Sequence, residues 1–241
     1  MRWLFVAIGF SKFDIKSVDE RPIGGTESSL IYLMKSLAKS GHETHFFTPL
    51  ADDIIIKNIN QRCLNNVSDI KNIKADVIVY VGETTLIKQI KEIHKNIPLI
   101  YWEHQASNQG WVLAFKNDLE LLNNISIIIF ASRWQQKDFE TSFNLNNLRS
   151  KIIHYGITLD FENMFSDFNE FIEQKKIHEG IYASYPNRGL SALYSAEQFL
   201  KNNDLTLEIF SSAKVYQRSD TRYLKLYDDI KKKNFLDIMD R

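Results

Sequence analysis

Short runs of apolar residues alternate along this chain with segments whose apolar residues recur at helical spacing. The runs are nearly continuous in hydrophobic side chains, which is typical of strands covered on both faces. Strands that alternate with helices in this way predict an α/β fold built on a Rossmann-like, parallel, doubly wound sheet. In the N-terminal part the predicted strands are residues 3–9, 43–49, 76–82, 98–104, 126–132 and 151–156.

The segments between these runs have the spacing of amphipathic helices. Leu30, Leu33, Met34 and Leu37 follow the i, i+3, i+4, i+7 rule, and Gly41 supplies a stop signal just beyond them. Such helices are the crossovers that parallel strands require. The other predicted helices of this part cover residues 84–95, 111–123 and 133–143.

The pattern changes near residue 157, where an N-terminal domain over residues 1–157 is expected to end. Residues 158–176 are polar and aromatic with little regularity, and we interpret them as an interdomain connection. One and a half βαβ units then follow, fewer than a domain of about 100 residues needs. We therefore expect 177–241 to be an incomplete second Rossmann-like domain and the chain to be truncated. Its predicted strands are 177–184 and 205–211, and its predicted helices are 188–201 and 220–233.

The charge balance and the cysteine count limit which binding partners and which cellular compartment we expect. Thirty basic residues balance thirty acidic ones, so no field of the whole chain favours nucleic acid or an anionic membrane. Cys63 is the only cysteine, which excludes an intramolecular disulfide and argues against a four-ligand zinc site. We therefore expect a reducing, cytoplasmic compartment and no nucleic-acid partner.

The apolar start of the chain is interpreted as a buried strand. It has one basic residue and an apolar run, but no small-residue cleavage site follows, as a signal peptide would need. No apolar run approaches the roughly 18 to 20 residues that span a bilayer. A soluble protein is expected, and peripheral contact with a membrane surface stays open.

A glycine pair lies directly before the helix that contains Leu30, in the segment Pro22-Ile-Gly-Gly-Thr-Glu-Ser-Ser29. Glycines here let the backbone approach a ligand, and the free N–H groups of a helix start favour an anion. An ordinary helix start capped by Thr26 is the alternative. The sequence G-x-G-x-x-G is absent, which counts against NAD or FAD.

Two further segments follow predicted strands of the N-terminal part. Glu103 and His104 come at the carboxyl end of a strand, where ligands bind in open α/β sheets. They can hydrogen-bond hydroxyls or take part in proton transfer, although a structural role for His104 stays open. Ser132 and Arg133 begin a helix at the same edge. Either they line the ligand cleft, or they only pack against neighbouring residues of the fold.

The segment Ala183-Ser-Tyr-Pro-Asn-Arg-Gly-Leu190 repeats the strand, loop and helix arrangement. Pro186 suits a first helical turn, and Ser184 is placed to cap it. Arg188 in that turn would oppose the positive end of the helix dipole, a conflict that a bound phosphate would remove. A solvated surface arginine is the alternative.

Taken together, these segments resemble the retaining glycosyltransferases with the GT-B fold, in the family 4 or glycogen-synthase-like group. The resemblance covers residues 3 to 190. Its parts come in the family's order: a glycine-rich loop, a strand-end histidine segment, a strand-to-helix segment, a crossover and a donor-phosphate loop. They correspond to Gly24-Gly25-Thr26-Glu27, Trp102-Glu-His104, Phe130-Ala-Ser-Arg-Trp134, His154-Tyr-Gly-Ile-Thr-Leu-Asp-Phe161 and Ala183-Ser-Tyr-Pro-Asn-Arg-Gly-Leu190.

The resemblance implies transfer of a sugar, with retention, from a nucleoside diphosphate sugar to an unknown acceptor that is a glycan, a lipid-linked sugar or a small molecule. No metal and no cofactor are expected. His104 and Glu103 would be catalytic. The expected donor-phosphate residues are Gly24, Gly25, Thr26, Ser184 and Arg188, and the expected cleft lining is Glu27, Ser132, Arg133 and Gly156.

Two departures from the family pattern limit what the resemblance implies. Ser184 and Tyr185 stand where an arginine often precedes the loop's proline, so one phosphate-binding cation is missing or comes from elsewhere. The family's acidic E-x7-E region is expected beyond residue 241, and we do not expect this length of chain to be active alone. Core exposed by truncation would favour self-association into a homo-oligomer. A non-catalytic fragment that binds an acceptor or partner chain, and a GT-B-shaped sugar-nucleotide epimerase, remain alternatives.

Overall fold

The computed structural model describes residues 1–49, 53–145, 149–175, 178–232 and 236–238. The chain divides into two compact units, Met1–Gly156 and Ile157–Arg241. The division falls next to residue 157, where the hydrophobic pattern changes.

The first unit is built on an eight-stranded sheet in the order β3-β4-β2-β1-β5-β6-β7-β8. Every neighbouring pair is parallel except β3 and β4, which form an antiparallel edge. The strands are β1 Arg2–Ala7, β2 Glu43–Thr48, β3 Ile54–Ile56, β4 Ile59–Cys63, β5 Val77–Val81, β6 Leu99–Trp102, β7 Ile127–Phe130 and β8 Ser150–Ile152.

Helices cover both faces of this sheet, which confirms the predicted doubly wound α/β arrangement. Alternate residues of β1 enter different hydrophobic clusters: Leu4 and Val6 pack in one, Phe5 and Ala7 in the other. The α-helices of this unit are α1 Ser17–Glu20, α2 Gly25–Lys39, α3 Ile87–Ile93, α4 Ala114–Asn117 and α5 Arg133–Ser142. Short 3-10 helices cover Val67–Ile70, Thr84–Leu86, Gly110–Val112 and Leu119–Asn124.

Three details of the first unit differ from the sequence prediction. The helix predicted over 111–123 is broken, because Asp118 has a non-helical backbone (φ −145°, ψ 80°) between α4 and a 3-10 helix. The strand predicted over 151–156 ends at Ile152. The β3–β4 hairpin was missed; its turn contains Asn58 in the left-handed region (φ 61°), a conformation that asparagine tolerates.

The second unit contains a three-stranded parallel sheet in the order β11-β10-β9. Leu190, Leu200, Ile209 and Ile230 form its buried hydrophobic cluster. The elements in chain order are α6 Leu159–Glu162, α7 Phe168–Gln174, β9 Glu179–Ala183, α8 Leu190–Ser195, α9 Glu197–Asn202, β10 Thr206–Phe210, α10 Leu224–Lys231 and β11 Leu236–Ile238, with 3-10 helices at Ala213–Tyr216 and Thr221–Tyr223.

This unit is more regular than the sequence indicated. Residues 158–176 include two short helices, and Asp167 caps α7 by accepting from the backbone N–H groups of Asn169 and Glu170 (2.8 and 3.0 Å). The helix predicted over 188–201 is interrupted at Ala196. Strand β11 completes a second βαβ unit, so the count of one and a half was too low. No helix among the described residues of either unit has the length and apolarity to cross a bilayer.

Gln61 ties the loop after β1 to the sheet. Its side chain is fully buried and donates to Phe13 O (3.2 Å) and Thr48 Oγ1 (2.9 Å), while its Oε1 accepts from Ile15 N (2.7 Å). This loop leads into α2, so Gln61 fixes the approach to the glycine-rich segment.

We expect Gln61→Leu to lower the free energy of unfolding by about 1 to 3 kcal/mol, because it leaves the buried Ile15 N–H without an acceptor, while Phe13 O keeps its bond from Thr48 Oγ1. Urea unfolding followed by circular dichroism measures the change. Arg62→Ala, at the exposed neighbouring position, is the control and should shift stability by no more than about 0.5 kcal/mol. Equal stability of Gln61→Leu and wild type would contradict this role.

Candidate functional site

Three of the sequence-predicted segments meet at one edge of the first unit's sheet. Parallel strands present their carboxyl ends together, and β1, β5, β6 and β7 are neighbours in the sheet. The glycine-rich segment follows β1 through a loop. Glu103 and His104 follow β6 directly, and Ser132 and Arg133 follow β7.

The start of α2 exposes bare backbone. Gly24 is the buried N-cap residue, and Gly25 is the exposed first helical residue, with no protein atom within 4 Å of the position a Cβ would occupy. The backbone N–H groups of Gly25 and Thr26 have no acceptor among the described residues. Thr26 lies two positions beyond the N-cap, so the cap predicted for its side chain is wrong.

Glu27 lies in the first turn of α2 and is 5% exposed. Burial raises the pKa of its carboxyl, although a hydrogen bond from its own backbone N–H and the charge of Arg21 act in the opposite direction. A buried acid therefore stands beside the exposed N–H groups of the helix start.

Buried polar atoms without a hydrogen-bond partner are concentrated at the carboxyl end of β6. Within the described ranges, Trp102 Nε1, Glu103 Oε2 and His104 Nε2 are such atoms in three consecutive residues; the others are Trp3 Nε1 and His45 Nδ1. Such groups are rare because each loses its hydration without compensation. Three in succession indicate a place prepared for a polar ligand.

His104 is held between aromatic rings and is uncharged. Its ring centroid lies 4.6 Å from that of Trp102 and 5.6 Å from that of Tyr155. Its Nδ1 is hydrogen-bonded to Tyr155 Oη at 2.7 Å. Burial lowers the pKa of the imidazole to about 4, so the ring is neutral at physiological pH.

Glu103 is 1% exposed, and its Oε1 accepts a hydrogen bond from Gln105 N. Burial raises the pKa of its carboxyl to about 7, against the lowering effect of hydrogen bonds from Gln105, Tyr101 and the His104 backbone. The carboxyl is therefore close to half-protonated near neutral pH.

Gln135 is a site residue that the sequence reading did not identify. It is buried, and its side-chain amide donates to Gln105 O (2.8 Å) and Glu103 O (3.3 Å), while its Oε1 accepts from Ala131 N (2.8 Å). The S-x-x-Q spacing of Ser132 and Gln135 is typical of a capping box, and this signal could have identified Gln135.

The remaining predicted residues of the first unit lie at its surface. Ser132 caps α5 by accepting from Gln135 N (3.1 Å), and Arg133 is exposed. Gly156 is exposed, with open space around its Cβ position, and directly follows Tyr155, the partner of His104. Tyr155 belongs to the predicted crossover segment, but its contact with His104 had no sequence signal, because the two residues are 51 positions apart.

In the second unit, the predicted donor-phosphate loop has a different geometry from the one expected. Helix α8 begins at Leu190 and not at 188, with Gly189 in the left-handed region as N-cap (φ 106°). Arg188 lies in the preceding turn, where its N–H donates to Tyr185 O (2.9 Å). Ser184 does not cap the helix; its carbonyl accepts from Ser211 Oγ (2.6 Å). The Arg188 side chain is exposed and has no hydrogen bond or ion pair within the described residues.

Metal ligation has no evident location in the part of the chain that the structure describes. No group of three or more His, Cys, Asp or Glu side chains there is arranged to hold a metal ion. The expectation that no metal is needed stays a prediction.

No protein-family model and no curated protein matches the sequence. Solved structures do match. The α,α-trehalose-phosphate synthase (UDP-forming) of Burkholderia vietnamiensis is 10% identical with a TM-score of 0.62, over 100% of this chain and 72% of that one. WaaG, a glycosyltransferase involved in lipopolysaccharide biosynthesis, is 13% identical with a TM-score of 0.56, over 98% and 69%.

A UDP-GlcNAc 2-epimerase from Methanocaldococcus jannaschii is 12% identical with a TM-score of 0.50, over 100% of this chain and 73% of that one. At these identities the likeness is one of fold. The chain has the Rossmann-like α/β architecture of GT-B proteins.

The titrations of Glu103 and His104 should change the free energy of unfolding with pH in opposite directions. The pKa of Glu103 is raised from 4.5 to about 7 in the folded chain, so its contribution to the free energy of unfolding falls as pH rises through that window. The pKa of His104 is lowered from 6.5 to about 4, so its contribution rises between those values. The two slopes oppose each other, each at most about 1.4 kcal/mol per pH unit.

We therefore expect Glu103→Gln to become more stable relative to wild type as pH rises from about 5 to 6.5, because only the His104 slope remains. His104→Gln should become less stable over the same range, because only the Glu103 slope remains. Urea unfolding of the three proteins at matched pH values measures both. Variant curves that run parallel to wild type would contradict the assigned pKa values.

Proposed function

We propose that this chain is a glycosyltransferase that takes a sugar from a nucleoside diphosphate sugar, with retention. The acceptor is a glycan, a lipid-linked sugar or a small molecule. The observation that carries the proposal is the row of unpartnered buried polar atoms in Trp102, Glu103 and His104, at the carboxyl edge of the first unit's parallel strands, where ligands bind in open α/β sheets. The exposed N–H groups at the start of α2 add an anion site on the same unit.

The start of α2 would stabilise the leaving diphosphate. Breaking the bond between sugar and phosphate transfers negative charge to the diphosphate, and fixed N–H dipoles stabilise that charge without reorganising. Gly25 and Thr26 supply the donors, and the open space around Gly25 allows close approach. One such contact lowers the barrier by about 3 kcal/mol. Arg188 is the proposed cation in the second unit. In this proposal, protein groups and not a metal ion balance the negative charge of the leaving diphosphate.

His104 is the proposed direct contact with the donor sugar or the acceptor. Its neutral ring carries one hydrogen, so Nε2 donates to a sugar hydroxyl when Nδ1 accepts from Tyr155, and accepts when Nδ1 donates. Glu103 is almost fully buried, and this favours a positioning role beneath His104 over the catalytic role expected from sequence.

A sugar-nucleotide epimerase is a second candidate. It requires carboxyl groups for proton transfer, and burial raises the pKa of two carboxyl groups in the first unit, Glu27 and Glu103. Release of UDP from a UDP-sugar without an acceptor would favour this alternative over glycosyl transfer.

Thermal unfolding in the presence of UDP, GDP, ADP and their sugar conjugates tests the proposed donor. A nucleotide at about 100 times its dissociation constant should stabilise the fold by about 2.7 kcal/mol, an easily measured rise in melting temperature. We expect one base to be preferred. A cooperative transition that no nucleotide shifts would contradict donor binding and favour a chain that binds only an acceptor or a partner chain.

Replacing Gly25 should change the affinity for a nucleotide without changing the stability of the fold. Gly25→Val adds a side chain into open space, so we expect the melting temperature to stay within a few degrees while nucleotide affinity falls about tenfold or more. Gly110→Val is the control, since Gly110 also begins a helical turn with open space around its Cβ position. Equal loss of affinity in both variants would refute the assignment of Gly25.

A further inference from the structure

Tyr155 lies beyond the end of β8, on a segment that is hydrogen-bonded to the neighbouring connection. Directly before it, His154 Nδ1 donates to Ala131 O at 2.8 Å, because a carbonyl oxygen can only accept. Ala131 follows β7, and β7 lies between β8 and β6 in the sheet. This bond therefore holds the chain before Tyr155 against the end of β7, next to the end of β6 where His104 lies.

The loop after β6, which carries His104, is fixed from another side by α5. The Gln135 side chain donates to Gln105 O at 2.8 Å. The Asp138 carboxylate accepts from Ser107 N (2.8 Å) and from Ser107 Oγ (3.0 Å). The backbone that follows His104 is therefore held at two points, so the position of its ring is set before a ligand binds.

Acid and base strength decide which partner donates in the hydrogen bond between His104 and Tyr155. Two arrangements fit the distance of 2.7 Å: Tyr155 Oη donates to Nδ1, or Nδ1 donates to Tyr155 Oη. A phenol hydroxyl, with an ordinary pKa of about 10, is a far stronger acid than the N–H of a neutral imidazole, and an imidazole nitrogen is a far stronger base than a phenol oxygen. Burial and the charge of Glu103 raise the pKa of Tyr155, so its hydroxyl stays protonated. The first arrangement is therefore favoured.

The other ring nitrogen of His104 does not oppose this arrangement. Nε2 is buried and has no hydrogen-bond partner in the described part of the chain, so no protein group there favours either of its protonation states. Burial keeps the ring neutral by lowering its pKa to about 4, and a neutral imidazole carries one hydrogen. When Nδ1 accepts from Tyr155, that hydrogen must lie on Nε2.

We propose that Tyr155 is a positioning residue that fixes the hydrogen of His104 on Nε2, so that this nitrogen donates to an oxygen of a bound sugar. A ligand group at this point must then accept, as a hydroxyl oxygen does, and a group that only donates does not fit. In this tautomer Nε2 has no free lone pair and cannot act as a general base. The tautomer rests only on contacts within the first unit, whereas the sugar rests on the proposed function.

Nuclear magnetic resonance of the 241-residue chain with nitrogen-15-labelled histidine tests the tautomer, because protonated and unprotonated ring nitrogens have well separated chemical shifts. The chain has six histidines, and His104→Gln identifies the signals of His104 by their loss. We expect one neutral tautomer in the wild type, with the hydrogen on Nε2. Tyr155→Phe removes the hydroxyl and keeps the ring, so we expect a measurable fraction with the hydrogen on Nδ1.

Tyr32→Phe is the matched control, because it removes the same hydroxyl from an exposed tyrosine of α2. It should leave the His104 signals unchanged. Tyr155 is also exposed, so Tyr155→Phe should keep the melting temperature within a few degrees of wild type. A wild type with the hydrogen on Nδ1, or a Tyr155→Phe variant with the hydrogen wholly on Nε2, overturns the role of Tyr155.

Calorimetric titration with UDP, GDP and ADP, and with the glucose conjugate of each, tests the contact with a sugar. We expect Tyr155→Phe to bind the preferred glucose conjugate about 3- to 10-fold more weakly, because one hydrogen bond to the sugar is weakened. The matching nucleoside diphosphate, which lacks the sugar, should bind within about twofold of wild type. Equal affinity of both proteins for the conjugate overturns the bond from Nε2 to the sugar.

The two measurements separate this proposal from the proposed function. A tautomer that changes in Tyr155→Phe, in a protein that binds no nucleotide, supports the role of Tyr155 and counts against the glycosyltransferase. Nucleotide binding with an unchanged tautomer in Tyr155→Phe overturns the role of Tyr155 and leaves the proposed function standing. An unchanged tautomer without nucleotide binding overturns both.

Discussion

Parallel pairing of the strands is the constraint on which the rest of this structure depends. Parallel neighbours need crossovers, and the crossovers cover both faces of the sheet, so each strand must be apolar on both sides. Because all crossovers leave from the carboxyl ends, the loops that follow the parallel strands emerge at the same edge, and the turn after the antiparallel strand β3 is the exception. The start of α2, the end of β6 and the start of α5 come together for that reason. Fold and candidate site thus follow from one hydrogen-bonding pattern.

At that edge, the chain keeps polar groups where an ordinary core would have apolar ones. Burying Glu103 and His104 opposes folding, since each prefers its charged form in water over part of the acidic range. The structure limits this cost by keeping both groups neutral across mildly acidic pH and by hydrogen-bonding both, Glu103 to Gln105 N and His104 to Tyr155 Oη. One polar atom of each remains unsatisfied. In the proposed function, these unsatisfied atoms bind the hydroxyl groups of a sugar.

The parts of the fold that sequence predicted are those in which local pattern and tertiary burial agree. Strand β5 is apolar at every position and buried on both faces, so its pattern had one interpretation. The helix predicted over 111–123 failed because helical spacing does not reveal that Asp118 leaves the helical region. The β3–β4 hairpin was missed because β3 is a three-residue edge strand, mostly exposed, with too few positions to show alternation. His104 was indicated by its position at a strand end. Its partner Tyr155 was not, because the contact joins residues 51 positions apart, which no local pattern contains.

The departure at Ser184 and Tyr185 shows why a motif is a weaker guide than the chemistry behind it. A phosphate is attracted by positive charge and by N–H donors at the right place, and the chain position of those groups does not enter the interaction energy. A tyrosine cannot replace an arginine as a cation. It can hold an arginine from another connection, because its hydroxyl accepts from the guanidinium and its ring packs beside the neighbouring tyrosines.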